Sequence, residues 1–462
     1  MKWRRFALAA VGAATAGAIL MIAGPAGAQE APADAETLIG EVQANLDNVF
    51  VLLAAVLVIF MQAGFALVEA GLTRAKSVAN IMMKNLMDFC VGAVAFFCVG
   101  YAIAFGSGND YFGSTGWFLG SGAESPYENL TVPTFFVFQV AFAATAATIV
   151  SGAMAERTKF KSYIIYSLVI TAVIYPVVVH WLWGGGWLAN LSTPYHDFAG
   201  SSIVHMTGGV AALIGAIFLG PRIGKYGPDG KPRAIPGHSI PFAVIGAFIL
   251  LVGWYGFNPG SELAADGLIG PIALTTTLSG VAGAIVATAV IWIVAGKPDV
   301  AMAANGLLAG LVGVTAGTAV VSNTGALIIG AISGAIVVGA VLFIERMKVD
   351  DPVGAVSVHG VCGAWGTIAV GLFAVEENAY EVGPGLFYGG GTSQLVSQLT
   401  GVVAIAAFVA VTTAILFGVI NATIGLRVTE EEEMNGLDVH EHGHAGYVDD
   451  IVVPSVPGTS LT

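Results

Sequence analysis

The sequence predicts an all-α integral membrane protein of about eleven transmembrane helices, and three observations predict it. Hydrophobic residues make up 56% of the 462 positions and charged residues only 10%, against about 25% charged in soluble domains, and the mean hydropathy is +0.82. Apolar runs of about 20 residues, each long enough to cross a bilayer, centre near Phe60, Val91, Phe142, Ile170, Ala211, Phe248, Ala284, Leu308, Ala331, Gly363 and Val411. Glycine, at 62 residues, has near twice its usual share of about 7%, as suits helices that pack through small residues because no hydrophobic force drives them together in lipid.

The first residues read as a secretory signal: Lys2, Arg4 and Arg5, an apolar run from Phe6 to Ala23, and the small-residue site Ala26-Gly27-Ala28. Cleavage is expected after Ala28, with an uncleaved signal anchor as the alternative. Residues 1–28 are thus assigned to a signal peptide, 29–426 to a transmembrane domain and 427–462 to a tail. The other Lys and Arg fall at Arg74, Lys76, Lys84, Arg157, Lys159, Lys161, Arg222, Lys225, Lys231, Arg233, Lys297, Arg346, Lys348 and Arg427, all in loops expected on one side. The positive-inside rule makes that side the cytoplasm, with the mature N-terminus outside and the tail inside. The opposite loops carry Asp110, Glu124, Glu128, Asp197, Glu262, Asp266, Glu376, Glu377 and Glu381 without any Lys or Arg. An acidic mouth concentrates cations and repels anions, so a cationic substrate fits better than an anionic one. Cys90, Cys98 and Cys362 all lie in spans and are expected to be free, buried thiols; on one helix Cys90 and Cys98 would stand about 12 Å apart, too far for a disulfide.

The two halves resemble each other. The fifth span contains Ser202-Ile203-Val204-His205 with Gly209 four residues on, and the tenth contains Val356-Ser357-Val358-His359 with Gly363 four on. Gly64-Phe65 in the first span is matched by Gly256-Phe257 in the sixth. Five spans separate the members of each pair, and an odd number reverses direction, so the expected architecture is two inverted five-helix repeats plus a final helix. His205 and His359 are ionisable groups in otherwise uncharged spans, a functional-site hypothesis by default because unpaired polar groups in hydrocarbon cost several kcal/mol. Their offsets from the helix centres suggest a column along the membrane normal. Two axial ligands of a haem are the competing reading.

The segment His180-Trp181-Leu182-Trp183-Gly184-Gly185-Gly186-Trp187 places Trp183 beside flexible backbone, where its ring can stand over an opening and hold a small cation at roughly 0.5–2 kcal/mol. Trp181 and Trp187 read as interfacial anchors. Asp197 reads first as a helix N-cap and second as a cation ligand. Phe138 and Phe142 are four apart on the third span, as are Phe257 and Ser261 at the end of the sixth, although Pro259 suggests a break between the latter pair. Such aromatic stripes are ordinarily packing.

Over nearly the whole mature chain these residues resemble the ammonium transporter family, which includes methylammonium permeases and Rhesus proteins. The matching motifs are Phe138-Gln139-Val140-Ala141-Phe142-Ala143, Gly152-Ala153-Met154-Ala155-Glu156-Arg157, Trp183-Gly184-Gly185-Gly186, Asp197-Phe198-Ala199-Gly200, Gly253-Trp254-Tyr255-Gly256-Phe257-Asn258-Pro259-Gly260-Ser261 and Val358-His359-Gly360-Val361-Cys362-Gly363. The resemblance implies an eleven-helix bundle with one pore per subunit, assembled as a homotrimer in the inner (plasma) membrane. It implies that Trp183, Phe138 and Ser261 form an ammonium recruitment site, that Asp197 organises this site from behind, that Phe142 and Phe257 form a gate, and that His205 and His359 are the twin histidines of the pore.

The tail motifs Gly425-Leu426-Arg427-Val428, Gly436-Leu437-Asp438 and Glu441-His442-Gly443 resemble the family's cytoplasmic segment, which implies regulation by a PII-type signalling protein. Two positions depart from the pattern: His444, where an acid is frequent, and Gly354, where an Asp is common. His440, His442 and His444 read as a solvated tail rather than a metal site. The expected function is transport of ammonium, ammonia and methylammonium, with no enzymatic activity, cofactor, bound metal or nucleic-acid partner; the alternative is an ammonium sensor acting through a cytoplasmic partner.

Overall fold

The structure, a computed structural model, describes residues 35–380 and 382–447. The expected signal peptide, Glu381 and the end of the tail lie outside the described residues. Eleven apolar helices follow one another: α1 (Ala35–Leu72), α2 (Ala75–Phe105), α3 (Val132–Ala153), α4 (Phe160–Leu182), α5 (Ser201–Leu219), α6 (Ile240–Glu262), α7 (Ile269–Ala295), α8 (Val300–Thr315), α9 (Asn323–Arg346), α10 (Val356–Phe373) and α11 (Ser393–Thr423). Among the described residues ten are long and apolar enough to cross a membrane, and α8 is shorter. Each contains one of the centres expected from the sequence. The chain divides between Ala44 and Asn45 into two units; the first turns of α1 belong to the former, and the rest of α1 and all the later helices to the latter.

Local signals start the helices. Thr131 caps α3 through the Thr134 N–H with Pro133 in its first turn, and Ser239, Asp299 and Ser322 cap α6, α8 and α9 in the same way. Small residues then bring the helices together. A Cβ on Gly283 of α7 would lie 2.3 Å from the Gly306 carbonyl of α8, and one on Gly334 of α9 would lie 2.3 Å from the Gly283 carbonyl. These three helices therefore pack backbone on backbone, the mode available where lipid removes the hydrophobic drive.

Two sequence expectations fail on α2. Lys84 is not in a loop: α2 begins at Ala75, and Lys84 is fully buried on a polar face with Asn80, Asn85 and Asp88. That face turns to neighbouring helices rather than to water, which a scan for apolar runs cannot see. Of the three thiols only Cys362 is buried; Cys90 is exposed on the flank of α2 and Cys98 is partly covered.

The cationic loops gather at one end of the bundle, where the tail docks as α12 (Glu430–Asn435) and α13 (Leu437–His442). Arg222, 3% exposed, meets Asp350 through Nε at 2.8 Å and Nη2 at 3.0 Å, and Glu156 through Nη1 at 2.8 Å. Arg74 pairs with the same Glu156. Arg157 is fully buried and donates to the carbonyls of Ala155, Gly220 and Asp350. Arg427 clasps Glu433 at 2.7 Å, and Asp438 accepts the N–H groups of Ala79 and Asn80 at the start of α2. Four interhelical loops and the tail are thereby tied together.

Removing one partner of a buried pair leaves the other uncompensated, so Asp350→Ala is expected to cost about 3–5 kcal/mol, read as a lower thermal-unfolding midpoint of the purified protein. Burial pushes the Asp350 carboxyl up, but the hydrogen bonds and charge of Arg222 outweigh it and hold the pKa at about 2. A depressed carboxyl stabilises above its unfolded value of about 3.9 and loses that contribution as pH falls toward 2. The midpoint should drop over that window in the native protein, with the Asp350 share of the drop absent in Asp350→Ala. An unchanged midpoint would remove this cluster from the account of stability.

Candidate functional site

At the end of the bundle away from the tail, a cavity of about 230 Å³ is lined by Phe138, Gln139 and Phe142 of α3, Trp183 just after α4, Asp197 and Phe198, Ser261 of α6, and Tyr380. The Pro259 break makes the Ser261 position. The α-helical part of α6 ends at Phe257, a 3₁₀ turn covers Pro259–Glu262, and Ser261 Oγ donates back to the Phe257 carbonyl at 2.7 Å. Trp183 Nε1 donates to the Asp197 carbonyl at 2.9 Å, which fixes the indole at the cavity wall. The glycines after it let the chain turn tightly: a Cβ on Gly184 would lie 2.1 Å from the Ala104 carbonyl, and Gly185 has φ +77°.

Phe142 stacks obliquely on Phe257 with centroids 4.3 Å apart, and Phe138 packs on Phe142 at 4.7 Å. Phe142 and Phe257 are both buried, Phe142 at the wall of the cavity and Phe257 packed behind it. The His205 ring lies nearly parallel to Phe257 and to Trp254, each at 5.1 Å. His205 and His359 follow with ring planes 25° apart, centroids 5.2 Å apart and Nδ1 atoms at 3.2 Å, an edge-to-edge hydrogen bond. In a hydrogen bond between two nitrogens one must donate and the other accept, so at least one of the rings has a bare Nδ1 and is a neutral imidazole. Both rings are buried, and His205 Nε2 has no partner among the described residues.

The same local device holds each histidine. Both lie in π-helical turns, Ser201–Met206 and Val356–Val361, which rotate the side chain relative to a regular helix and recur at functional sites. Each turn follows a left-handed glycine, Gly200 at φ +111° and Gly354 at φ +81°, and each glycine stands three residues after an aspartate. Asp197 accepts the N–H groups of Gly200, Ser201, Ser202 and Ile203 and the Ser202 hydroxyl at 2.6–3.0 Å. Asp351 accepts those of Gly354 and Val356 at 3.1 and 2.8 Å. The helices then meet backbone to backbone: a Cβ on Gly209 would lie 2.1 Å from Gly360 N, and one on Gly363 would lie 2.4 Å from the Ser201 carbonyl.

The structure brings all eight residues singled out from the sequence together: Phe138, Phe142, Trp183, Asp197 and Ser261 line the cavity, and ring contacts lead from Phe142 through Phe257 and His205 to His359. The capping reading of Asp197 holds, because both its oxygens are committed to backbone. Gly354 occupies the left-handed position that Gly200 occupies in the other half, and the acid of that half is Asp351. The repeated pattern Asp-x-x-Gly-x-x-x-x-His was the available signal for it. Trp254 was also missed; its contact with His205, and the bond of its Nε1 to Thr315 Oγ1 at 3.0 Å, depend on tertiary structure. Trp181 is buried against Phe408 and Trp187 rather than anchored in an interface. The haem reading fails on geometry, because axial ligands stand on opposite faces of a macrocycle and these rings are in direct contact.

The Ammonium Transporter Family model matches residues 49–447. The chain is 48% identical over 444 residues to ammonium transporter Amt2 of Archaeoglobus fulgidus, covering 93% of each, and 44% identical to a putative ammonium transporter of Synechocystis, covering 88% of this chain and 90% of that one. Among solved structures it superposes on a protein described as a sensor Amt protein with TM-score 0.82 and 37% identity, covering 87% of this chain and 99% of that one. Mep2 of Candida albicans gives 0.77 and 31%, covering 84% and 87%. With ten apolar spans among the described residues and a family model over most of its length, this multi-pass membrane protein belongs to the Ammonium Transporter Family.

Proposed function

We propose that the chain recruits ammonium at Trp183, Phe138 and Ser261, strips its hydration and its proton, and conducts ammonia past Phe142 and Phe257 along His205 and His359. One observation carries this reading: two buried imidazoles joined nitrogen to nitrogen and packed against Phe257, in a bundle lined by apolar side chains. The cavity above suits a small cation. Trp183 and Phe138 offer aromatic faces and Ser261 a hydroxyl, while the Asp197 carboxylate is consumed by the backbone it positions, so attraction comes from ring quadrupoles without a fixed negative charge that would trap the ion. The imidazoles below can hydrogen-bond ammonia and relay protons, whereas a bare ion would have to cross hydrocarbon.

In this reading residues 29–426 form the conducting domain in the plasma membrane, with the vestibule outside, and residues 427–462 form a cytoplasmic tail. Supporting the orientation, the tail meets loops rich in Lys and Arg. A homotrimer and a PII-type partner at the tail face complete the proposal. A sensing role is the second reading, favoured by the likeness to a sensor Amt protein. Uptake of labelled methylammonium into cells without other ammonium transporters separates the two: conduction requires it, and a sensor alone would give none.

Three outcomes follow from this reading. Trp183→Leu should raise the half-saturating ammonium concentration by up to about tenfold, from a contact of roughly 0.5–2 kcal/mol; an unchanged value in a well-expressed variant would leave Trp183 a packing residue. His205→Asp places a carboxylate in the pore and should let potassium support growth of cells lacking potassium uptake, while His205→Ala does not. Equal potassium passage through the native protein would end the deprotonation mechanism. A reporter active only outside the cytoplasm, fused at Thr462, should be silent, and activity there would reverse the orientation.

A further inference from the structure

On the tail side of the histidines the structure holds three buried ionisable side chains. Glu69 is three residues from the end of α1, Lys84 lies about 14 Å along α2, and Asp88 is one turn further; each is at most 2% exposed. Glu69 Oε2 accepts from Ser151 Oγ at 2.6 Å and from Asn85 Nδ2 at 3.2 Å. Lys84 Nζ donates to the Ser151 carbonyl at 3.2 Å and stands 5.0 Å from the centre of the Tyr163 ring. Asp88 accepts from the hydroxyls of Tyr163 and Ser167. Among the described residues no carboxylate approaches Lys84 within ion-pair distance. Charges at this depth are costly, and a leucine at each site would avoid the cost, so packing does not explain them.

A small cavity joins this cluster to the pore. It is lined by Glu69 and His359 together with Phe65, Val68, Asn305 and Val358, among others, and its volume of about 20 Å³ is enough for one water molecule. His359 Nδ1 is taken by His205, so Nε2 is the nitrogen left for that water. Glu69 brings a carboxylate whose Oε2 is held in place by Ser151 and Asn85, with the positive charge of Lys84 nearby.

We propose that Glu69 accepts the proton taken from ammonium, making the cavity between His359 and Glu69 a proton-transfer site. This rests on the ammonium reading above and adds to it the fate of the proton. Ammonium loses an N–H bond to the bare Nε2 of His205. His205 passes its Nδ1 proton to His359, and His359 releases the proton on Nε2 to the cavity water. That water gives one of its own protons to the Glu69 carboxylate, which becomes a carboxyl. The carboxyl then loses its proton to water at the tail side, where α1 ends at Leu72. The net change is one proton moved from ammonium to water at the tail side: every N–H or O–H bond broken along the relay is matched by one formed, the tautomers of the two histidines are reversed, and no second reactant besides water is needed. Lys84 is a positioning residue that favours the ionised carboxylate between turnovers. The charged groups around Glu69 are Lys84 and Asp88, both on α2.

The test uses the full chain reconstituted in liposomes, with ammonium-evoked current and labelled methylammonium uptake measured side by side. Glu69→Gln keeps an acceptor oxygen for Ser151 but cannot take a proton. It should cut the current at least about tenfold without moving the half-saturating ammonium concentration, and Glu69→Asp should restore part of the current. Glu69→Gln combined with Lys84→Met removes both charges. The current should stay low in that double variant if Glu69 transfers protons, and return to the native level if Glu69 only balances Lys84, which would overturn the proposal. Native current in Glu69→Gln would overturn it too, as would native uptake without any current, an outcome that leaves ammonium transport standing. Neither uptake nor current in the native protein would instead bring down the transport reading itself.

Discussion

The contact between His205 Nδ1 and His359 Nδ1 is the constraint on which the rest of the site depends. At 3.2 Å it requires one nitrogen to carry a proton and the other a lone pair. When both rings are neutral the outward nitrogens are unlike: the ring that donates through Nδ1 has a bare Nε2, and the ring that accepts has a protonated one. A pair of this kind can take a proton at one end and give one up at the other, after which its tautomers are reversed. It offers hydrogen bonds without a net charge, a combination that a carboxylate or an ammonium group in the same place would not supply.

Much of the surrounding structure serves to hold that contact. Glycines at 209, 360 and 363 let α5 and α10 touch through their backbones, and any side chain at Gly209 would push the imidazoles apart. Asp197 and Asp351 gather the N–H groups of the two π-helical turns and so set where each turn begins. Trp254 and Phe257 cover the His205 ring and keep it out of other rotamers. Two left-handed turns that glycine alone makes without a steric cost, and the desolvation of two carboxylates, go with a fixed nitrogen-to-nitrogen distance. Electrostatic preorganisation of this sort acts without reorganisation during each transfer.

The helices, the two histidines and the aromatic residues above them were legible in the sequence because each carries a strong local signal. Apolar runs reveal spans, and an ionisable residue inside a span is conspicuous. What escaped was polar character distributed over a helix that is apolar on average. Asn80, Lys84, Asn85 and Asp88 share a face of α2, and the apolar residues between them concealed it, so Lys84 was read as a loop residue. Cys90 was expected to be buried because it lies in a span, although the flanks of a bundle face lipid. Gly354 was read as a missing acid until its backbone angle matched that of Gly200 and exposed Asp351 as the partner of Asp197. The role of Trp254 came from a neighbour nearly fifty residues away, which no local window contains.

The central claim is the shared proton, and nitrogen NMR of the histidine rings tests it most directly. In the ¹⁵N-labelled protein in lipid bilayers at pH 7, with signals assigned through His205→Asn and His359→Asn variants, both rings should be neutral. One should be protonated at Nδ1 and the other at Nε2, with a coupling across the Nδ1–H···Nδ1 bond. Two imidazolium rings, or two Nε2-protonated rings with no coupling between them, would contradict the account.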